Sequence, residues 1–464
     1  MRLKRPIRMP PETAASNQFS QMKKGSFVMQ HQEKKPAARW LQLTAAIVGN
    51  ALEWYDFAVF ATLAIYISKV FFPSAGEYVG LLLTLATFGV GFVTRPLGGI
   101  AIGIYADRRG RKAALQLIVA LMGLSLLIMV LTPSYESIGV AAPIMIVIAR
   151  LIQGLATGGE FASATAFLVE SAPSHRKGFF GSWQMVGQGL SILGGAGTGL
   201  LLTEIFTERE LLDGMWRLPF IAGLLIVPVG WWIRHYLEEP VESVQARAAA
   251  SDAKLGGTLA RHRRALIASI CMTTCVTASV YIFYFYMPTF LARQFHFPLH
   301  DAFKALAIGI VGLMVSAPIA GALSDRYGRR NIMILFLTPF VALIYPLFSW
   351  VATAPSLPNL LLIYTILSLL LGGYFGPFST AMGEQFPTAV RSSGLAICYN
   401  LAVMVFGGFA QLIVTWLIQS TGITLAPILY SMVAGVMGII GCLLTASPQS
   451  SALVAPAPGR RTAP

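Results

Sequence analysis

Gly103-Ile-Tyr-Ala-Asp107-Arg108-Arg109-Gly110-Arg111-Lys112 is repeated, 218 residues later, as Gly321-Ala-Leu-Ser-Asp325-Arg326-Tyr327-Gly328-Arg329-Arg330. Each copy sits between two long apolar runs. A second matched pair follows at a similar interval: Glu170-Ser-Ala-Pro173-Ser-His-Arg176 and Glu384-Gln-Phe-Pro387-Thr-Ala-Val-Arg391. Two matched loops at matched places in a row of apolar runs read as a duplicated, parallel unit. Parallel repeats in a membrane chain build two halves that rock about a site between them.

Outward from those loops the chain is strongly apolar. Of 464 residues, 55% are hydrophobic and only 12% charged, against about 25% charged in a soluble domain. That excludes intrinsic disorder and argues against an ordinary soluble enzyme. Twelve runs are long enough to cross a bilayer, which takes ~20 helical residues: 41–68, 79–104, 113–131, 141–168, 179–202, 218–236, 266–291, 303–323, 331–351, 358–383, 394–419 and 425–445. The expected class is an all-α integral membrane protein, twelve helices in two six-helix halves. Its expected parts are a basic tail 1–40, a first half 41–236, a central loop 237–265, a second half 266–445 and a disordered tail 446–464. The tail 1–40 lacks the apolar core of a signal peptide, and Met22 or Met29 is as good a start as Met1.

The net charge of +14 does not point to nucleic acid. The bases lie in short stretches between spans, and 27 of the 34 Lys+Arg fall on one side if the N-terminus is cytoplasmic. That bias places both termini in the cytoplasm. The four cysteines, Cys271, Cys275, Cys398 and Cys442, fall inside apolar runs without metal-ligand spacing, and none of the six histidines lies mid-span. No HExxH or Walker-type loop is present, so no metal, cofactor or catalytic residue is expected. A channel would not need duplicated gating loops.

Five charges are not explained by topology. Measured along a helix from the cytoplasmic end, Glu53 lies ~18 Å deep, Asp56 ~22 Å, Arg95 ~18 Å, Glu160 ~15 Å and Arg150 ~30 Å. A charge at the bilayer centre costs ~2.5–3.5 kcal/mol even on the forgiving insertion scale, so each needs a partner or a wet cavity. Three acids against two bases leave one carboxyl to bind and release a proton. Arg95 is the expected holder of a substrate carboxylate, because a guanidinium fork stays charged when buried. Proton coupling is expected at Glu53 or Asp56, with Glu160 and Arg150 as a second, gating pair. Gln184 and Gln188 share a helix face and are candidate substrate contacts. So are Tyr281 and Tyr284, three residues apart, and Asn400. The duplicated loops supply a candidate cytoplasmic gate: Asp107, Arg108, Arg111, Asp325, Arg326 and Arg329, completed by Glu170, Arg176, Glu384 and Arg391.

The segment Gly103–Leu115 resembles the signature of the major facilitator superfamily, with Tyr105 where Leu is usual. Gly49-Asn50-Ala51-Leu52-Glu53-Trp54-Tyr55-Asp56-Phe57, Arg95-Pro96-Leu97-Gly98-Gly99, Arg150-Leu-Ile-Gln153-Gly154, Gly158-Gly159-Glu160, Trp216-Arg217-Leu218-Pro219-Phe220 and Leu237-Glu238-Glu239-Pro240 are similar to its metabolite:proton symporter family. That resemblance spans about 40–445. It implies a twelve-helix fold, alternating access and proton-coupled uptake of a small, often anionic metabolite across a bacterial-type cytoplasmic membrane by a monomer. Ser182-Trp183-Gln184 and Phe406-Gly407-Gly408 are most similar to citrate-type carriers. The alternatives are a zwitterionic osmolyte such as proline or betaine, or drug/proton antiport. The glycine run from Gly194 to Gly199 lacks an antiporter-type proline, which favours symport, and Arg95 disfavours a cationic drug.

Overall fold

The structure, a computed structural model, describes residues 36–109, 111–158, 165, 168–169, 172–173, 175–230, 262–386 and 391–445. Residues 1–35 of the predicted N-terminal tail, the tail 446–464, most of the central loop and the residues Glu160 and Glu170 lie outside them; residues 36–40 already belong to the first helix. The side chains of Asp107, Arg108 and Arg111 also lie outside the described part.

The principal helices are α1 (Pro36–Thr62), α2 (Ala64–Phe71), α3 (Gly76–Val93), α4 (Arg95–Arg109), α5 (Arg111–Leu131), α6 (Ala141–Thr157), α7 (Lys177–Ile205), α8 (Arg263–Ala278), α9 (Met287–Phe295), α10 (Leu299–Tyr327), α11 (Arg329–Thr353), α12 (Leu357–Glu384), α13 (Arg391–Ala402), α14 (Ala410–Thr421) and α15 (Ala426–Leu444). Wider π-helical turns join α8 to α9 (Ser279–Tyr286) and follow α13 (Val403–Gly408).

Among the described residues, eight helices are long and apolar enough to cross a membrane. Ile47–Thr62 of α1 and the helix α2, bent by 66° from one another, add a ninth when counted together as one span. Hydrogen bonds continue through that bend, from Leu63 N–H to Val59 and from Ile67 N–H to Leu63. Three shorter apolar helices, Gln116–Leu131, Ala141–Thr157 and Met215–Gly230, occupy the remaining three places predicted from sequence. The helix α5 covers the whole of the run 113–131; the far ends of the runs at 141–168 and 218–236 lie largely outside the described residues.

Close helix crossings position the interior. Where α3 and α4 cross α6, Gly91, Gly98, Gly154 and Gly158 leave no room for a Cβ, because backbone carbonyls of the facing helix occupy that space. Small residues let helices approach this closely in a membrane, where dispersion and polar contacts replace the hydrophobic effect. The crossing carries Arg95 on α4 towards Arg150 on α6. A second close line runs between α7 and α10. Gly178 meets Gly321 at one end of it, and Gly199 faces the Phe303 ring at the other. Thus α7, from the first half, lies along α10, from the second.

Prolines stand inside α10 (Pro318), α11 (Pro339, Pro346) and α12 (Pro377). Such prolines are tolerated in membrane helices because neighbouring groups satisfy the carbonyls they free. The centre is aromatic: Phe57, Phe88, Phe92, Tyr281 and Phe285 form one chain of ring contacts with centroids 5.2–6.3 Å apart. That chain crosses from α1 and α3 to the π-helical segment of the second half.

Candidate functional site

Arg95 begins α4, directly after the break at Thr94. The Thr94 hydroxyl donates to the Leu151 carbonyl at 2.9 Å, fastening this corner to α6. The Arg95 side chain is 1% exposed. Its guanidinium carbon lies 4.3 Å from the centre of the Phe92 ring, 5.0 Å from Phe57 and 5.1 Å from Trp54. Rings supply a cation with a negative face, but they accept no hydrogen bonds in the guanidinium plane. Nε and Nη2 of Arg95 have no hydrogen-bond partner.

Three more polar side chains gather at that edge. The Tyr399 side chain, on α13, is hydrogen-bonded to both Arg95 and Gln188. Gln188 comes from α7, and its Nε2 is buried without a partner. Tyr281 enters from the π-helical segment, packs edge-on to Phe92 with centroids 5.2 Å apart, and keeps an unpartnered hydroxyl. The buried, unsatisfied atoms here are all able to donate, and they come from both halves. A buried donor left unsatisfied costs ~1–3 kcal/mol, more when charged. A set of them round one guanidinium is built for an acceptor, and a carboxylate has the required charge and geometry.

A second cation also lies near the Phe57 ring. Arg150, fully buried on α6, has its Nη1 3.8 Å from Oδ2 of Asp56. Nη1 also donates to Gln153, and Nη2 reaches the Met129 sulfur at 3.3 Å. Its guanidinium carbon is 3.9 Å from the Phe60 ring and 5.8 Å from Phe57. Asp56 is 2% exposed, and neither carboxylate oxygen has a hydrogen-bond partner. An ionised carboxylate offers about four acceptor sites, so one long ion pair leaves it poorly compensated. Glu53 is buried one turn away on α1. Arg150 pairs with Asp56 on α1; Glu160, its expected partner, lies outside the described residues. Arg150 lies deep on α6, and the helix crossing turns it towards α1.

The other predicted substrate residues divide. Arg95, Gln188 and Tyr281 are brought together. Gln184 instead exchanges hydrogen bonds with Asn50 (3.2 and 3.3 Å), stitching α7 to α1. Asn400 donates to the Gly158 carbonyl at 2.6 Å, tying α13 to the end of α6. Tyr284 does not share a face with Tyr281. It packs against Phe283, and its hydroxyl lies beside Ser368 on α12. The π-helical turn is wider than an α-turn, so residues three apart diverge. Tyr399, adjacent to Asn400 in the sequence, was not expected at the site; a buried tyrosine in an apolar run carries no sign of which way it points.

At the end of the molecule bearing the duplicated loops, Asp325 accepts from the backbone N–H groups of Gly178 (2.9 Å) and Phe179 (3.0 Å). These are the first turn of α7, where free N–H groups and the helix dipole favour an anion. Arg329 holds the same carboxylate at 2.6 Å and reaches Glu384 at 3.4 Å. Arg391 donates through Nε to the Gly383 carbonyl at 2.9 Å, and Thr380 donates to the Lys177 carbonyl at 2.9 Å. Arg326 and Arg176 are exposed.

The opposite end carries pairs that the sequence reading did not find. Arg293 at the end of α9 lies 3.6 Å from Glu77 at the start of α3, and His300 on α10 lies 3.2 Å from Glu204 on α7. Both join the two halves. Lys69 and Glu208 pair at 2.5 Å within the first half. Opposite charges in distant loops have no spacing that reveals such pairs.

A family model for the Major Facilitator Superfamily matches residues 46–397. A citrate-proton symporter of Klebsiella pneumoniae is 35% identical over 84% of this chain and 88% of its own. A proline/betaine transporter of Escherichia coli (strain K12) is 32% identical over 86% of this chain and 81% of its own. Among solved structures, a crystal structure of a D-xylose-proton symporter superposes with a TM-score of 0.68 over 87% of this chain and 96% of that one, at 18% identity. That likeness shows the fold alone. This chain is a multi-pass membrane transporter that belongs to the Major Facilitator Superfamily, among its metabolite:proton symporters.

Proposed function

We propose that this protein takes up a small carboxylated metabolite, such as citrate or another di- or tricarboxylate, together with a proton, by alternating access. The carrying observation is the guanidinium of Arg95, buried with two of its nitrogens unpartnered and ringed by donors from both halves. The substrate carboxylate binds Arg95 in plane, with the Tyr281 hydroxyl and the Gln188 amide completing its acceptor contacts. Because these groups belong to both halves, a bound anion ties the halves together. Asp56 carries the proton, with Arg150 as its counter-charge and Glu53 as the neighbouring acid through which protons arrive; Glu160 is assigned to the same proton coupling.

The domains are those read from the sequence: halves 41–236 and 266–445, joined by a loop at 237–265. Both termini face the cytoplasm of a bacterial-type inner membrane, as the distribution of basic residues supports. The Asp325–α7 contact then lies on the cytoplasmic side and acts as the inner gate, with Arg329 and Glu384. Asp107, Arg108, Arg111 and Glu170 supply its counterpart in the first half. The coupling ion is a proton, no cofactor is needed, and the monomer is the working unit in the bilayer.

Proline or betaine is the second reading, because a proline/betaine transporter is 32% identical to this chain. The deciding experiment places the purified full chain in liposomes and imposes an inside-alkaline pH gradient. Citrate, 2-oxoglutarate, shikimate and betaine are each offered. Uphill accumulation of an acid with substrate-dependent proton entry supports the main reading. Accumulation of betaine alone replaces it.

A further inference from the structure

Phe57 touches both buried cations. Its ring centre lies 5.0 Å from the guanidinium carbon of Arg95 and 5.8 Å from that of Arg150, and it follows Asp56 directly in the chain. Among the described cation–ring contacts, the other rings serve one cation each: Trp54 and Phe92 lie over Arg95, and Phe60 over Arg150. Phe57 is itself 1% exposed and wedged between Trp54, Phe88 and Phe92, with centroids 5.5–6.2 Å away. The ring is therefore closely packed where it touches both guanidinium groups.

We infer that Phe57 is the positioning residue that couples substrate to proton: its ring sets the separation, and the dry path, between Arg95 and the Arg150–Asp56 pair. The inference rests on the proposed carboxylate site at Arg95. An anion arriving there cancels a positive charge close to Asp56, so the anion and a proton on Asp56 favour one another's binding. By linkage the effect is mutual. The proton step is a simple O–H bond formation on the Asp56 carboxylate, with the proton taken from water on the acidic side. Unit charges about 10 Å apart in a medium of effective dielectric ~20 change one another's binding about tenfold. Water in the gap would cut that factor to about twofold or less. The aromatic face adds a second requirement, since an aliphatic side chain of similar size would not hold two cations.

The test uses the full chain in liposomes, with citrate or whichever of the four probes above the parent accumulates. Two quantities are measured for each variant: uphill accumulation under a pH gradient, and counterflow with no gradient. Phe57→Leu is expected to lower the ratio of accumulation to counterflow at least about fivefold, with fewer protons entering per substrate. Phe57→Met serves if the leucine variant does not reach the membrane. Phe57→Tyr, which keeps the ring, is expected to keep the ratio. Phe88→Leu removes a ring from the same cluster that touches neither cation, and is expected to keep it too. A ratio unchanged in Phe57→Leu overturns the inference alone. So does an equal fall in Phe88→Leu, which would make the effect one of packing. If the parent accumulates none of the probes, the carboxylate reading and this inference fall together.

Discussion

Two arginines lie buried against the same phenylalanine, and their surroundings differ in kind. Arg150 has partners from within, a carboxylate at 3.8 Å, the Gln153 amide and a methionine sulfur, although its Nε is buried without one. Arg95 has rings on its faces and unpartnered nitrogens at its edge. The difference is between a cation beside the protein's own acid and one that we propose takes an acid from outside.

The largest break in that comparison should come at Arg95. Arg95→Gln is expected to lower acid-driven uptake about 100-fold or more, and Arg95→Lys should recover little, because an ammonium cannot make the in-plane bidentate contact. Initial uptake rates in liposomes, normalised to inserted protein, check this. If lysine restores uptake, the site needs only a point charge.

At the other arginine, Asp56→Asn is expected to reduce uphill accumulation about 20-fold, by analogy with losing an essential proton carrier. Arg150→Gln alone leaves an uncompensated buried carboxylate, a defect of ~3–5 kcal/mol, so the yield of folded protein in the membrane should collapse. Combining it with Asp56→Asn should restore yield without restoring accumulation. Detergent-extract thermal stability and uptake, read on all four members of the cycle, separate the pair's structural part from its transport part.

A smaller effect is expected at Asp325. Its two backbone contacts to α7 are charge-assisted, each worth ~1.5–3 kcal/mol, and asparagine keeps one acceptor without the charge. Asp325→Asn should change uptake about fivefold at equal membrane insertion, since part of the helix-end interaction survives. Modification rates of a cysteine placed at Thr380, which is buried beside the start of α7, would report a more frequently opened inner end.

The smallest effect belongs to the opposite end. Glu77 is exposed, and such pairs contribute ~0–1 kcal/mol. Glu77→Gln should alter uptake less than about twofold, and any change should vanish at high salt. A larger, salt-resistant loss would mean that this end is as tightly gated as the other. At the same end, Glu210 closes a capping box with Thr207, whose N–H and hydroxyl hold its carboxyl below the usual value.

Much of the architecture was legible because it is written locally. Apolar runs of span length, the duplicated Asp-Arg-x-Gly loops and the bias of basic residues need only neighbours along the chain to be read. Arg95, Asp56 and Arg150 stood out for the same reason: a charge within an apolar run is a local anomaly. Their partners were not legible. The pairing of Arg150 with Asp56 depends on how α6 crosses α1, and the glycines at Gly91, Gly98, Gly154 and Gly158 that allow close crossings do not state which helix they meet. Gln184 and Gln188 look equivalent in sequence, yet one is used up on Asn50 and the other is left with a free amide nitrogen. Tyr281 and Tyr284 were separated by a change in helical pitch that no residue pattern announced.

The sequence by itself determined that this chain crosses a membrane repeatedly, that it is duplicated, and that a few charges lie where lipid would not tolerate them alone. Those conclusions follow from solvation, which acts on each residue where it stands. Only the tertiary structure decided that one guanidinium stands beside the protein's own carboxylate while the other stands among rings and unpartnered donors. Hydrogen-bond satisfaction is a property of groups brought together from different helices, over a range of about 3 Å.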